Sequence, residues 1–280
     1  LNSTRMSLKL HPKHGLLVVV LVATLFPIYW MVNMALQRSE DVFKNVSLLP
    51  SSITFEHMIS IFTTENYLLP LFNSFIITAI SLTIVMVCGL SSAYVLGRRS
   101  FSIAYNKSLL IWILLVRVLP PITFALPLYI LMNELGLLNT KIPIILAHIL
   151  VNLPLVIWFM LAFFTSVPNE IEESARVDGA SEFTIYYKVV LPLVLPGIAA
   201  VTILSFMASW NEYLYSVIFI QSPSDFTIPL KLATLNSEQE LTEWGKVASG
   251  GIISMLPVLI IAMFMQKHLM NGLTAGAVKE

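Results

Sequence analysis

The chain has 280 residues, of which 57% are hydrophobic and only 11% charged, where a soluble domain carries about a quarter charged. Its mean hydropathy is +0.83, so a water-soluble fold would expose apolar surface everywhere, and lipid is the solvent that suits this composition. Sixteen basic and sixteen acidic residues cancel, which leaves no basic field to attract nucleic acid. The lone Cys88 allows neither an internal disulfide nor a cysteine metal site.

A spanning helix needs about 20 apolar residues, and six stretches qualify, at about 15–36, 71–96, 108–132, 142–167, 193–220 and 247–266. The first follows Arg5, Lys9 and Lys13. At 22 residues, with Tyr29 and Trp30 and no small-residue cleavage pattern, it reads as a retained span and not as a cleaved leader, whose apolar core is roughly 7–15 residues. Only two spans carry a formal charge, Arg117 in the third and Glu212 in the fifth. Backbone groups in lipid must be satisfied internally, so all six are expected to be helices. Pro27, Pro120, Pro121, Pro127, Pro154 and Pro257 are expected to kink them, most sharply at Pro120-Pro121.

Six crossings put both termini on one side. With that side taken as the cytoplasm, ten Lys and Arg fall inside and five outside, Arg117 being intramembrane. The bias agrees with the positive-inside rule. Three connections are long: 37–70 and 221–246 outside, and 167–192 inside.

The inner connection is the most informative. Pro168 and Asn169 open a helix whose first turn is favoured by Glu170, Glu172 and Glu173 through the helix dipole. Gly179 supplies a backbone conformation that other residues avoid. Ser181 can cap a second helix with Phe183, Tyr186, Val189 and Val190 at roughly helical spacing, and Pro192 is expected to end it. A helix–Gly–helix elbow between two spans is a handle offered to something in the cytoplasm, whereas its bland alternative is an interfacial amphipathic hairpin.

That elbow resembles the E-A-A-x3-G-x9-I-x-L-P signature of ATP-binding-cassette importer permeases. Here it reads Glu173-Ser174-Ala175, three residues, Gly179, nine residues, Val189, one residue, Leu191-Pro192. Every spacing matches, with Ser174 and Val189 as small departures. The resemblance extends to Arg117-Val-Leu-Pro-Pro, Pro127-Leu-Tyr, Leu135-Gly-Leu-Leu-Asn-Thr140, Trp210-Asn-Glu-Tyr-Leu and the Gly272–Lys279 tail. It narrows to the second permease subunit of carbohydrate importers of the maltose type.

The resemblance implies an all-α polytopic protein with the type I importer permease fold, one transmembrane domain over 1–280, in the cytoplasmic membrane of a prokaryote with both termini inside. It implies a second homologous permease, two ATPase subunits that hold ATP and Mg, an extracytoplasmic solute-binding protein, and a di- or oligosaccharide or related polyol as cargo. The ATPase-coupling residues would be Glu172, Glu173, Ser174, Ala175, Asp178, Gly179, Leu191 and Pro192. The outer 221–246 loop would meet the solute-binding protein. The Gly272–Glu280 tail, too rich in glycine for an independent helix, would reach the ATPases.

The chain shows no phosphate-binding G-x-x-x-x-G-K-[ST], since Gly245-Lys246 lacks the earlier glycine, so energy is expected from partners and no cofactor from this chain. The five histidines are scattered and read as packed or solvent-facing, with no metal constellation. An ionised group within a span faces a partner or a wet cavity. Arg117, about 14 Å into its span, is a candidate for the substrate path or for a structural anchor. Glu212 could pair with it only if the helices kink favourably. Asn152, Trp210 and Asn211 complete the candidate path, against the plainer readings of an interhelical hydrogen bond for Asn152 and an interfacial anchor for Trp210. Ser74, Thr78 and Ser81 form a packing stripe. The rival function is an ion- or proton-coupled secondary transporter, which also uses Pro-broken helices. The elbow argues against it, because such a transporter has no ATPase to dock there.

Overall fold

Helices make up the regular structure in a computed structural model of the chain, which describes residues 12–38, 41, 48–50, 52–98, 103–237 and 244–276. In order they are α1 (Pro12–Leu36), α2 (Glu56–Thr63), α3 (Leu68–Gly97), α4 (Ile103–Val118), α5 (Ile122–Glu134), α6 (Ile142–Ser166), α7 (Asn169–Val177), α8 (Glu182–Leu193), α9 (Leu195–Trp210), α10 (Leu214–Phe219), α11 (Ile228–Ser237) and α12 (Trp244–Gly276). No strand occurs among the described residues. Among the described residues, four helices are long and apolar enough to cross a membrane, or up to six if each of two bent pairs counts as one span.

Of the two bent pairs, the first is the sharp kink expected at Pro120-Pro121, and the second was not expected. Between α4 and α5 the axis turns by 90° at Leu119–Pro121, where two successive prolines remove two amide donors and clash with the preceding turn. Between α8 and α9–α10 it turns by 78°. There the expected terminator, Pro192, lies inside the helix, in its last turn, and the turn comes at Val194 (φ −98°, ψ 10°). Pro196 follows one residue inside α9, where its missing amide costs nothing. A second interruption, at 211–213, separates α9 from α10. Pro27, Pro127, Pro154 and Pro257 all lie within continuous helices.

The chain divides into two compact units. One comprises Leu1–Asn66 and Thr234–Ile253. In it α2 packs on the end of α1. Buried Gln37 links them: its amide donates to Asn33 Oδ1 (2.6 Å) and its carbonyl meets His57 Nε2 (2.9 Å). Gly245 comes so close to the His57 ring that any Cβ would collide with it. The lipid-suited residues from Leu16 to Val22 are exposed along α1.

The other unit comprises Tyr67–Ala233 and Ser254–Glu280. Its most extensive packing is α3 along α6, with α9 laid against both. One apolar cluster joins Val85, Leu90 and Ala93 of α3 to Val156, Met160 and Phe164 of α6, and to Ile185 and Val190 of α8. A second gathers Ile77, Ala125, Ile144, Ala147, Tyr215 and Phe219. Ser74, Thr78 and Ser81 are buried as a stripe on α3, and Ser74 Oγ accepts the Ile228 amide at 2.8 Å. The glycine-rich tail does not interrupt helix: α12 runs to Gly276, because the preceding apolar turns propagate through it, and residues 277–280 lie outside the described residues.

Gly197 marks where α9 meets α6. A Cβ there would sit 2.6 Å from the Phe163 ring, so Gly197→Ala must push the ring or the helix. Overpacking of this kind costs about 1–3 kcal/mol. The variant is expected to lower the apparent Tm of detergent-purified protein by at least about 2 °C. Gly15→Ala, with nothing within 4 Å, should leave it unchanged.

Candidate functional site

The inner elbow folds as its residues dictate. The α7 helix ends in a Schellman closure. Gly179 takes φ +83°, its amide donates to Arg176 O (3.0 Å), and the Ala180 amide donates to Ala175 O (2.9 Å). Ser181 then caps α8 by accepting the Thr184 amide. Ser174, in place of the signature's alanine, returns its hydroxyl to Glu170 O (2.8 Å) and so leaves the helix intact. A bidentate clasp crosses the turn, with Arg176 Nε and Nη2 donating to the two oxygens of Glu182 at 2.6 and 3.1 Å. That hydrogen bonding raises Arg176 and holds the Glu182 carboxyl below the usual carboxylate range. Its contribution is present at neutral pH and is lost only as pH falls through the lowered Glu182 value. Both groups are solvent-exposed, so the gain is small.

The eight expected coupling residues separate into three sets. Glu173, Ser174, Asp178, Gly179 and Pro192 are exposed, whereas Ala175 and Leu191 are half-buried against the α3–α6–α8 core. Glu172 is turned inward, with its side chain 3% exposed and paired with Arg98 at 2.5 Å. Beside the outward set lie apolar side chains with nothing over them: Val177 at 88%, Phe183 at 75% and Tyr187 at 61% exposure. Phe183 and Tyr187 stack in parallel. The remainder of α8 contains a π-helical turn, Ile185–Val190, a form frequent at functional sites.

Among the described residues, no side-chain hydrogen bond or ion pair joins one of the five expected path residues to another, although Arg117 bonds the neighbour of Asn152 and Asn152 bonds the neighbour of Trp210. Asn152 is buried and donates to Ser209 Oγ (3.0 Å), tying α6 to α9. Trp210 is buried, stacks on Phe206, and donates its indole N–H to Ser254 O (2.9 Å). Asn211 is exposed and turns back on Met207 O. Arg117 is exposed and reaches Val151 O at 3.4 Å, next to the Leu150 carbonyl that Pro154 leaves without its helical donor. The Arg117–Glu212 pair does not form. Glu212 instead accepts the amides of Tyr215 (2.8 Å) and Ser216 (3.3 Å), closing the N-terminus of α10, with His148 Nε2 at 3.6 Å.

Sequence reasoning passed over His148, Ser209, Arg98 and Asn139. His148 is buried in α6; as a lone histidine in an apolar span it could have been flagged as a partner for Glu212. Asn139, at φ 58°, accepts the Gln221 and Ser222 amides and donates its own to Phe219 O. Nearby, Lys141 pairs with Asp225 at 3.0 Å and Asn73 donates to Ser224 O and Phe226 O. Together these contacts fasten residues 220–228 to the starts of α3 and α6. Residues 238–243, in the rest of the expected outer contact loop, lie outside the described residues.

An apolar, repeatedly broken helical chain with an elbow between two of its spans is the architecture of a polytopic membrane protein. Residues 85–274 match the family of binding-protein-dependent transport system inner membrane components, and the chain belongs to that family. It is 32% identical over 257 residues to the trehalose transport system permease protein SugB of Mycobacterium tuberculosis, covering 91% of this chain and 92% of that one. It is 28% identical over 263 residues to the diacetylchitobiose uptake system permease protein DasC of Streptomyces coelicolor, covering 94% of each. Its fold matches a chain of a bacterial ABC transporter that imports the acidic polysaccharide alginate, at TM-score 0.75 and 20% identity over 91% of this chain and 94% of that one. A structure of the alginate transporter with a pentasaccharide-bound periplasmic protein also matches, at TM-score 0.68 and 16% identity over 91% and 93%. The chain is thus a multi-pass permease subunit of an ABC importer, not a secondary transporter, and it does not itself hydrolyse ATP.

Gly179→Val places a β-branched residue at φ +83°, a strain of about 1–3 kcal/mol, at the turn that sets the angle between α7 and α8. Uptake by the assembled importer is expected to fall at least tenfold with membrane insertion unchanged, measured by solute accumulation beside quantitative blotting of the membrane fraction.

Proposed function

We propose that the chain is the second permease subunit of a carbohydrate importer. It would be one transmembrane domain over 1–280 with both termini in the cytoplasm, passing a di- or oligosaccharide or related polyol through a channel shared with a homologous permease. The observation that carries this reading is the elbow. Its Gly179 turn is closed by backbone hydrogen bonds and by the Arg176–Glu182 clasp, and it presents Val177, Phe183, Tyr187 and Glu173 outward.

In this reading the outward set docks on two partner ATPases, which hold ATP and Mg, and the 221–246 segment meets a solute-binding protein. The relatives named for trehalose and diacetylchitobiose transport support a carbohydrate cargo. The alginate transporter in complex with its periplasmic protein supports the binding-protein partner. Amide and indole groups such as Asn211 and Trp210 suit sugar hydroxyls and ring faces. Trp210 and Asn152, however, are spent on interhelical hydrogen bonds. Arg117 and Asn211, exposed on this chain, are therefore the members of the path set best placed to meet cargo or the partner permease.

The complete importer, reconstituted in proteoliposomes with its solute-binding protein, separates this reading from its rival. Radiolabelled trehalose and diacetylchitobiose serve as probes. Accumulation of at least one is expected to require ATP on the ATPase side together with the binding protein, and to survive a protonophore. Accumulation driven by a proton or sodium gradient without ATP would overturn the proposal.

A further inference from the structure

We propose that Arg98 is the positioning residue through which the elbow is held in register with α3, so that a push on the elbow moves that helix. This rests on the reading of the elbow as the ATPase contact and assigns the link that the signature residues lack.

Arg98 stands immediately after α3, and its guanidinium is turned inward, with a side chain 9% exposed. Its Nη1 donates to Val167 O (3.2 Å) and Asn169 Oδ1 (3.4 Å), while Nη2 meets Glu172 Oε1 at 2.5 Å in a charge contact that is not aligned as a hydrogen bond. A planar fork thus touches the loop before α7, the first residue of α7 and its first turn. Three points fix both the position and the angle of α7, which a single ammonium could not do. The pair also stands where both helix dipoles favour it, a cation at the end of α3 and an anion at the start of α7.

The contacts continue in both directions. Tyr94, one turn back on α3, lies under the Arg98 guanidinium and donates to Glu172 Oε2 (3.3 Å). Arg176 Nη2 reaches the same oxygen at 3.6 Å and grips Glu182 on α8. Tyr94 packs on Tyr186 of α8 with ring centroids 4.9 Å apart. One run of charged and aromatic groups therefore joins α3, α7 and α8. Adjacent acids divide the work: Glu173 faces outward, while Glu172, 3% exposed, faces α3. Swapping a buried pair of this kind for apolar residues often costs no stability, whereas breaking it leaves an uncompensated charge. Its role here is orientation, and the link from elbow to membrane helix should fail when it is broken.

The test uses the full importer in proteoliposomes, with Arg98→Glu, Glu172→Arg and the double swap, measuring assembly, basal ATP hydrolysis, and hydrolysis stimulated by the sugar-loaded binding protein. Arg98→Glu is expected to keep basal hydrolysis within twofold and lose stimulation at least tenfold. Arg98→Lys should fall between it and the parent. The swap should restore at least a third of the stimulation, including where a single variant assembles poorly. Full stimulation in Arg98→Glu, or a swap that restores assembly or nothing at all without stimulation, would overturn the proposal. Val177→Cys reports separately on the docking reading: it should crosslink to an ATPase subunit in the parent and in Arg98→Glu alike. Failure to crosslink in the parent would sink the docking reading itself.

Discussion

A chain in lipid cannot hand an open backbone group to water, and this constraint accounts for the polar contacts at several breaks in the second unit's helices. At several interruptions of the helical ladder, a side chain of the same unit closes the gap. The six-residue α10 shows it best. Glu212 accepts two amides at its N-terminus, and Asn139 donates its amide to Phe219 O at the other end while its side chain accepts the next two amides. Near the Pro120-Pro121 break, the Tyr215 hydroxyl donates to Pro121 O at 3.0 Å. Each unsatisfied group in an apolar medium would cost several kcal/mol, so these residues are as necessary to a broken span as apolar length is to an intact one.

The same logic, transferred to charges, shapes the elbow. It lies at the membrane end of α3 and α6, where Arg98 and Glu172 can be buried only as partners. Their pairing turns one acid of the signature inward and leaves its neighbour exposed. In the proposed reading a partner protein would meet Glu173 and the apolar Val177, Phe183 and Tyr187, and what it moved would be attached to α3 through charge and aromatic contacts. Exposed aromatic and aliphatic side chains on a soluble loop would be an aggregation hazard in a lone protein. In a subunit built for assembly they would serve as a docking face.

Much of this was legible in the sequence. Composition and apolar length located the long helices, the double proline located the sharpest bend, and Gly179 and Ser181 marked the elbow's turn and cap, because each of these follows from local chemistry. What could not be read depended on neighbours. Pro192 looked like a helix end, yet its place in the last turn of α8 left the bend to Val194. The interruption at 211–213 carries no proline or glycine, and it is sustained by Glu212 folding back on α10. Arg117 and Glu212, the only Asp, Glu, Lys or Arg in the expected spans, could pair only with favourable kinks, and a nearer carbonyl and nearer amides took them. Glu172 and Glu173 are chemically alike, and only the position of Arg98 tells them apart.

The proposed function requires that the elbow and the fastened 220–228 segment lie on opposite faces of the membrane, the first toward the ATPases and the second toward the binding protein. Single cysteines at Asp178 and at Ser222, in a chain whose native Cys88 is replaced by serine, can be labelled with a membrane-impermeant maleimide in right-side-out and inverted vesicles. The account predicts labelling of position 222 only in right-side-out vesicles and of position 178 only in inverted ones. Labelling of both positions from one side, or the reverse pattern, would contradict it.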